Sequence, residues 1–137
     1  MQRIKVAING FGRIGRNIVR AIYENGYNKD IQIVAINDMA SIEIMTHLLR
    51  YDSVHGKFMT NVEISHNDLI IANDRIKFHN EKNPQALPWQ QVDIVFECTG
   101  KFTKHEDAAL HLQTGAKKVL LSAPAIDADI TVVYGVN

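Results

Sequence analysis

Residues 3–15 read RIKVAINGFGRIG, in which an apolar strand runs into a turn of three glycines and then into a helix. Gly10 allows the tight turn, Gly12 leaves the backbone open to a pyrophosphate, and Gly15 lets the helix pack closely on the sheet. The free N–H groups of the first helical turn and the positive end of its dipole then face the phosphates. The stretch therefore predicts a dinucleotide-binding turn.

The composition is that of an ordinary globular protein. The 137 residues are 46% hydrophobic and 22% charged, and 15 basic residues balance 15 acidic ones. This balance argues against nucleic acid or an anionic membrane surface as a partner. The single cysteine excludes an internal disulfide framework and fits a reducing compartment. No apolar run is long enough to cross a bilayer, and Met1 lies two residues before the first strand, so a cytoplasmic chain without a leader is expected.

Strands and helices alternate along the chain, which predicts an α/β fold. We expect a doubly wound Rossmann sheet, mostly parallel, with a small antiparallel insertion on one edge, where Asn67-Asp68 and Asn73-Asp74 supply turns. The predicted strands are 3–9, 31–36, 93–97, 118–121 and one starting at 131, with short strands at 62–64, 69–71 and 75–78 in the insertion. The predicted helices are 13–25, with an apolar face of Ile14, Ile18, Val19 and Ile22 and a stop at Gly26, then 42–50, capped by Ser41, and 103–113, with Thr103 as its cap.

Asp38 follows the second strand and lies 23 positions after Gly15. An acid at about this spacing can accept hydrogen bonds from both hydroxyls of the adenosine ribose. Its charge would repel a 2′-phosphate, which favours NAD over NADP. The alternative is that Asp38 only turns the chain after the strand.

Two later strand ends also lie where ligands bind such sheets. Thr99 follows one strand and Ser122 follows the next, and each offers a small hydroxyl to a flat polar ring. Position alone does not separate a cofactor contact from an ordinary transition between strand and loop.

The remaining reactive side chains predict no further site. The six histidines show no helical i, i+4 pair that would suit zinc, and His105 and His111 are expected on a solvent-facing side of one helix. Cys98 ends an apolar strand, which favours a buried and inert thiol over a nucleophile.

Taken together, these segments resemble the glyceraldehyde-3-phosphate dehydrogenase family. The stretch VAINGFGRIGR at 6–16 is far more specific than a glycine motif alone, and the resemblance spans essentially the whole chain. The other matching segments are IND (36–38), LRYDSVHGKF (49–58), LPW (87–89), ECTGKF (97–102), GAKKV (115–119), LSAP (121–124) and VYGVN (133–137).

The resemblance implies an NAD site. Arg13 and Ile14 would offer main-chain N–H groups to the pyrophosphate, and Asp38 would hold the ribose. Lys82 would lie by the adenine, where the family usually has arginine, so the charge is kept and the planar stacking surface is lost. The implied cofactor-binding residues are Asn9, Gly10, Gly12, Arg13, Ile14, Gly15, Asp38, Lys82, Thr99, Phe102 and Ser122.

The resemblance also implies that residues 1–137 are the NAD-binding domain of a longer parent. Such enzymes, expected as homotetramers acting on a sugar phosphate in glycolysis, form a thiohemiacetal on a cysteine and pass hydride to NAD. The Ser-Cys-Thr-Thr-Asn segment that carries this cysteine, and the histidine that activates it, are not among these residues, so the chain alone is expected to be inactive. The alternatives are the same domain of erythrose-4-phosphate dehydrogenase, a non-catalytic NAD-binding module, and a nucleotide-binding fold that has lost its ligand.

Overall fold

The computed structural model describes residues 2–52, 56–100 and 109–121. Five parallel strands form the centre of its main sheet. Their spatial order is β7 (Asp74–His79), β2 (Ile31–Asn37), β1 (Ile4–Asn9), β8 (Ile94–Glu97) and β9 (Lys118–Leu121). The order of these strands reverses between β1 and β8, which is where doubly wound sheets bind their ligands. The predicted Rossmann fold is therefore confirmed.

The predicted antiparallel insertion extends the same sheet at one edge. Strands β5 (Val62–Ser65) and β6 (Asp68–Ile71) pair antiparallel, and β6 pairs antiparallel with β7. Strand β7 pairs in parallel with β2 on its other side, so the described residues form one sheet of seven strands. Strands β3 (Tyr51–Asp52) and β4 (Gly56–Lys57) form a separate antiparallel pair.

The two hairpin turns of the insertion lie one residue earlier than the sequence suggested. They are formed by His66-Asn67 and Ala72-Asn73, and all four residues have positive φ angles. Two-residue hairpins need this left-handed backbone because its twist matches that of the flanking strands. Asparagine tolerates the conformation, whereas alanine does not favour it.

Replacement of Ala72 by glycine is expected to stabilise the chain by about 1 kcal/mol, because the φ of 47° at this position then carries no steric penalty. Urea unfolding of the variant measures the effect. A loss of stability would show that the entropy of the added glycine outweighs the relief of strain.

Helices cover one face of the sheet. Helix α1 is Arg13–Glu24 and helix α2 is Ile42–Arg50. Gly26, with a φ of 76°, follows the end of α1, and the Ser41 hydroxyl accepts a hydrogen bond from the Ile44 N–H at the start of α2. The predicted end of α1 and the predicted start of α2 are therefore confirmed. The buried stripe of α1 consists of Gly15, Val19, Arg20, Ile22 and Tyr23.

Ile14 does not belong to the apolar face predicted for α1, because 50% of its surface is exposed. The buried stripe passes through Gly15, and Ile14 lies beside it at the open end of the helix. The other three residues predicted for this face do pack on the core, since Val19 and Ile22 are buried and Ile18 is partly buried against them. Helical spacing failed only at Ile14, because glycine counts little in a hydrophobic pattern.

The other face of the sheet packs on Trp89, Leu87, Val92 and a short helix, α3 (Leu110–Gln113). This helix corresponds to the end of the helix predicted for 103–113. Its predicted start and Thr103 cap, and the strand starting at 131, lie outside the described residues. In the described part of the chain, every helix is too short or too polar to traverse a bilayer.

Asp74 connects neighbouring elements by hydrogen bonds at the amino ends of the strands. Its carboxylate accepts two hydrogen bonds from the Arg3 guanidinium, at 2.9 and 3.2 Å, and one from the Tyr23 hydroxyl at 2.8 Å. Burial, and then the Asp74 carboxylate, raise the pKa of Tyr23 well above its usual range. This cluster joins β1, α1 and β7 at the edge of the sheet opposite the glycine turn.

Candidate functional site

The glycine turn is packed tightly on two sides. Gly10 has a φ of 95°, and its N–H donates to the Asn37 carbonyl at 2.7 Å. A Cβ atom on Gly10 would lie 2.8 Å from the Thr99 backbone nitrogen, and one on Gly15 would lie 2.4 Å from the Gly10 carbonyl oxygen. Neither position tolerates a side chain, so both glycines are needed to bring β1, α1 and the end of β8 together.

Gly12 is different, because a Cβ atom there would meet no atom of the described residues within 4 Å. Gly12 is the N-cap of α1, and no side chain of the described residues caps that end of the helix. Arg13 and Ile14 in the first turn are exposed. The turn thus presents open space in front of a helix N-terminus, which suits the close approach of a phosphate.

Asp38 anchors the glycine turn. Its carboxylate accepts a hydrogen bond from the Phe11 N–H at 2.8 Å and another from the Ala40 N–H at 2.9 Å. The side chain is only partly buried. Asp38 therefore does hold the turn after β2, which was the alternative to a ribose contact. A carboxylate has about four acceptor positions, so the Asp38 carboxylate can accept further hydrogen bonds.

The segment after β7 lies against the same strand end. The Asn80 side chain donates to the carbonyls of Asp38 and Ala40, at 2.8 and 2.9 Å, and the Glu81 N–H donates to Asn37 Oδ1 at 2.7 Å. Lys82 follows directly and is exposed. The fold thus brings Lys82 and Asp38 to the same edge of the sheet.

Thr99 lies on the other side of the glycine turn, two residues beyond β8. Its N–H and its hydroxyl both donate to Glu97 Oε1, at 3.2 and 2.5 Å. Cys98 is half-buried against the apolar core rather than fully buried, and its N–H donates to the Asn9 carbonyl at 2.7 Å. The predicted residues Phe102 and Ser122 lie outside the described residues.

A buried row of polar side chains crosses the sheet beneath this turn. Asn37, Asn9 and Glu97 occupy the same register position on β2, β1 and β8. Asn37 donates to Asn9 Oδ1 at 2.7 Å, and Asn9 donates to Glu97 Oε2 at 2.7 Å. Only 2% of the surface of Glu97 is exposed. Asn37 and Glu97 were not predicted as a pair, although a polar residue ends each of the two apolar strands.

His111 completes this row and overturns the prediction that it faces solvent. It is fully buried, its Nε2 lies 2.5 Å from Glu97 Oε2, and its Nδ1 accepts a hydrogen bond from the Trp89 indole N–H at 2.8 Å. Both partners come from distant parts of the sequence, so a helical pattern cannot reveal them. His105 lies outside the described residues. Nearby, burial lowers the pKa of His79, which is next to Asn37 in the sheet register.

These groups fit a dinucleotide. The open helix N-terminus suits a pyrophosphate, the partly buried carboxylate on one side suits a ribose, and polar strand ends lie on both sides of the point where strand order reverses. Residues 4–105 match the family model described as glyceraldehyde 3-phosphate dehydrogenase, NAD binding domain.

Curated relatives agree with that match. Over 97–98% of its length, the chain is 54% identical to glyceraldehyde-3-phosphate dehydrogenase of Pseudomonas aeruginosa, 52% to that of Geobacillus stearothermophilus and 54% to that of Thermotoga maritima. It covers 40–41% of those proteins, so the chain spans about two fifths of the length of the curated relatives it matches. These names favour glyceraldehyde-3-phosphate dehydrogenase over its erythrose-4-phosphate counterpart. The chain therefore belongs to the glyceraldehyde-3-phosphate dehydrogenase family, in which it matches the NAD-binding domain.

Proposed function

We propose that residues 1–137 form one domain that binds NAD across the carboxyl ends of β2, β1 and β8. The observation that carries the proposal is the open N-terminus of α1 at Gly12, which follows a turn bonded to Asp38 at Phe11 and packed against Thr99 at Gly10. When bound, NAD would supply a hydride acceptor, and this chain's part is to hold it.

The proposed contacts follow from the chemistry of each position. Main-chain N–H groups of Arg13 and Ile14 meet the pyrophosphate, because the first turn of a helix has donors without intrahelical partners. Asp38 accepts the ribose hydroxyls, and Lys82 lies by the adenine. The other residues that we propose to line the cofactor are Asn9, Gly10, Gly12, Gly15, Thr99, Phe102 and Ser122.

The partners of Asp38 refine its proposed role. Since this carboxylate also holds the Phe11 and Ala40 N–H groups, its removal loosens the turn for NAD and NADP alike. Its charge, in contrast, opposes only a cofactor that carries a 2′-phosphate. The ratio of the two affinities therefore isolates the electrostatic part.

The Asp38→Gly variant is expected to lower the preference for NAD over NADP at least about tenfold, because a charge repulsion worth about 1.4 kcal/mol is lost. Calorimetric titration of both cofactors into the wild-type chain and the variant measures the ratio. Asp30→Gly is the matched control, because Asp30 immediately precedes β2 at its opposite end and should leave the ratio unchanged. An unchanged ratio in Asp38→Gly would refute the ribose assignment, and failure of the wild-type chain to take up NAD would refute the proposed function.

The activity of the whole protein is proposed from the relatives. We propose that this chain serves a cytoplasmic, homotetrameric and phosphorylating dehydrogenase that oxidises glyceraldehyde 3-phosphate through a cysteine thiohemiacetal. Cys98, the only thiol in the 137 residues, lies in neither family segment that carries the catalytic groups. The 137 residues alone are accordingly expected to bind NAD without oxidising the aldehyde.

A further inference from the structure

Among the described residues near the proposed site, the buried carboxylate of Glu97 has the most hydrogen-bond partners. It accepts hydrogen bonds from Asn9 Nδ2, from the Thr99 N–H and from the Thr99 hydroxyl, and its Oε2 also meets His111 Nε2. A buried carboxylate is costly unless such donors satisfy it. These partners link the end of β1, the loop after β8 and helix α3 through a single side chain.

The Trp89 indole determines which way the His111 ring is protonated. An indole N–H can only donate, so His111 Nδ1 must accept, and the ring proton must be on Nε2. That proton points at Glu97 Oε2, which also takes the Asn9 amide donor. Oε2 therefore accepts hydrogen bonds from His111 and Asn9, whose directions are fixed, and Oε1 accepts the hydrogen bonds from Thr99.

Thr99 is in turn in direct contact with the glycine turn. A Cβ atom added to Gly10 would lie only 2.8 Å from the Thr99 backbone nitrogen, so the backbone at Gly10 contacts the backbone at Thr99. A displacement of Thr99 would therefore press on Gly10 or open a gap beside it. The Thr99 N–H and hydroxyl hold this residue to Glu97, and Glu97 is hydrogen-bonded to Asn9, the residue before Gly10.

We propose that Glu97 is a positioning residue of the cofactor site, which sets the spacing between the glycine turn and the loop after β8, with His111 and Trp89 orienting its carboxylate. This proposal rests on the function proposed above. In doubly wound sheets the dinucleotide crosses the point where strand order reverses. With Asp38 proposed at the adenosine ribose, Thr99 lies towards the nicotinamide half.

A glutamine at position 97 tests the proposal atom by atom. His111 and Asn9 both donate towards Oε2, so the amide oxygen of the glutamine must face them. Its NH₂ group then faces the Thr99 N–H, where two donors oppose each other. The substitution should therefore break the hydrogen bond from the Thr99 N–H and replace the charge-assisted bond from the Thr99 hydroxyl with a weaker one from the NH₂ group. The size of the side chain is kept.

We expect Glu97→Gln to raise the Kd for NAD about tenfold and the Kd for ADP, which lacks the nicotinamide half, less than about threefold. The matched control is Asp74→Asn, which also removes a well-bonded carboxylate, but at the amino ends of the strands. Both variants should melt at lower temperature than the wild-type chain. Only Glu97→Gln should weaken NAD binding, so a general loss of stability cannot mimic the result.

A second variant separates a positioning role from a direct contact. Thr99→Val keeps the shape of the side chain and removes the hydroxyl that donates to Glu97. If Thr99 acts through Glu97, the double variant should bind NAD no more weakly than Glu97→Gln alone. Additive losses would overturn the proposal, because they would mean that the hydroxyl contacts the cofactor by itself.

The outcomes distinguish this proposal from the proposed function. A wild-type chain that does not bind NAD refutes the proposed function. A wild-type chain that binds NAD, with Glu97→Gln binding equally well or Asp74→Asn losing as much affinity, refutes only the role of Glu97. If Glu97→Gln does not fold, Trp89→Phe carries the test, because it removes the indole N–H that orients His111 and Trp89 is not among the residues proposed to line the cofactor. A wild-type Kd for NAD in that variant overturns the proposal.

Discussion

Replacement of Gly12 by aspartate is expected to lower the affinity for NAD at least about 100-fold, because a side chain and a negative charge would occupy the space proposed for the pyrophosphate. The free chain should not be destabilised. Gly12 has extended backbone angles, φ −75° and ψ −159°, and no atom of the described residues lies within 4 Å of the new Cβ. Calorimetric titration measures the affinity, and thermal unfolding measures the stability.

The same change should stabilise the free chain by about 0.5 kcal/mol, because aspartate is a good N-cap and complements the helix dipole. Stability and affinity would then move in opposite directions, which damage to the fold cannot produce. Gly12→Ala is the matched control, since it adds a Cβ without the cap or the charge. An aspartate variant that binds NAD within about twofold of the wild type would exclude the pyrophosphate from this turn.

Replacement of Gly15 by alanine is expected to destabilise the chain by about 2–3 kcal/mol, because the new Cβ would lie 2.4 Å from the Gly10 carbonyl oxygen. The obstacle is backbone, so no side-chain rotation relieves it. Either α1 moves away from the sheet or the glycine turn opens. Urea unfolding measures the loss, and the affinity for NAD should fall with it.

The sign of the Gly15 effect is informative. Within a helix, glycine to alanine normally stabilises by about 1 kcal/mol, because alanine loses less conformational freedom. Asn17→Ala in the same helix is the matched control, and we expect it to raise stability by a few tenths of a kcal/mol, about the difference in helix propensity. If Gly15→Ala also stabilised the chain, the close packing of α1 on the turn would be wrong.

Much of the fold could be predicted from short-range patterns. The apolar run at 31–36, the Ser41 cap and the stop at Gly26 each depend on a few neighbouring residues, and β2, α2 and the end of α1 lie where these patterns indicate. The roles of Gly10 and Gly15 could also be predicted from their spacing. In the order strand, turn and helix, these two residues come so close to other backbone atoms that a side chain would not fit. The resemblance to the glyceraldehyde-3-phosphate dehydrogenase family depended on longer continuous segments, such as residues 6–16.

Local patterns failed where a partner came from far along the chain. His111 was expected with His105 on a solvent-facing side of one helix, yet Trp89 and Glu97 bury it. Ile14 was expected to be buried because its spacing matched the apolar face, yet the first turn of α1 faces the open site.

The order of strands and helices and the glycine turn could be predicted from the amino-acid sequence, because backbone propensity and hydrophobic period act over a few residues. The shared register position of Asn37, Asn9 and Glu97, and the contacts of Glu97 with both Thr99 and His111, are seen only in the folded chain. Hydrogen bonds between side chains on different strands depend on how the sheet aligns those strands. Sequence spacing does not encode that alignment.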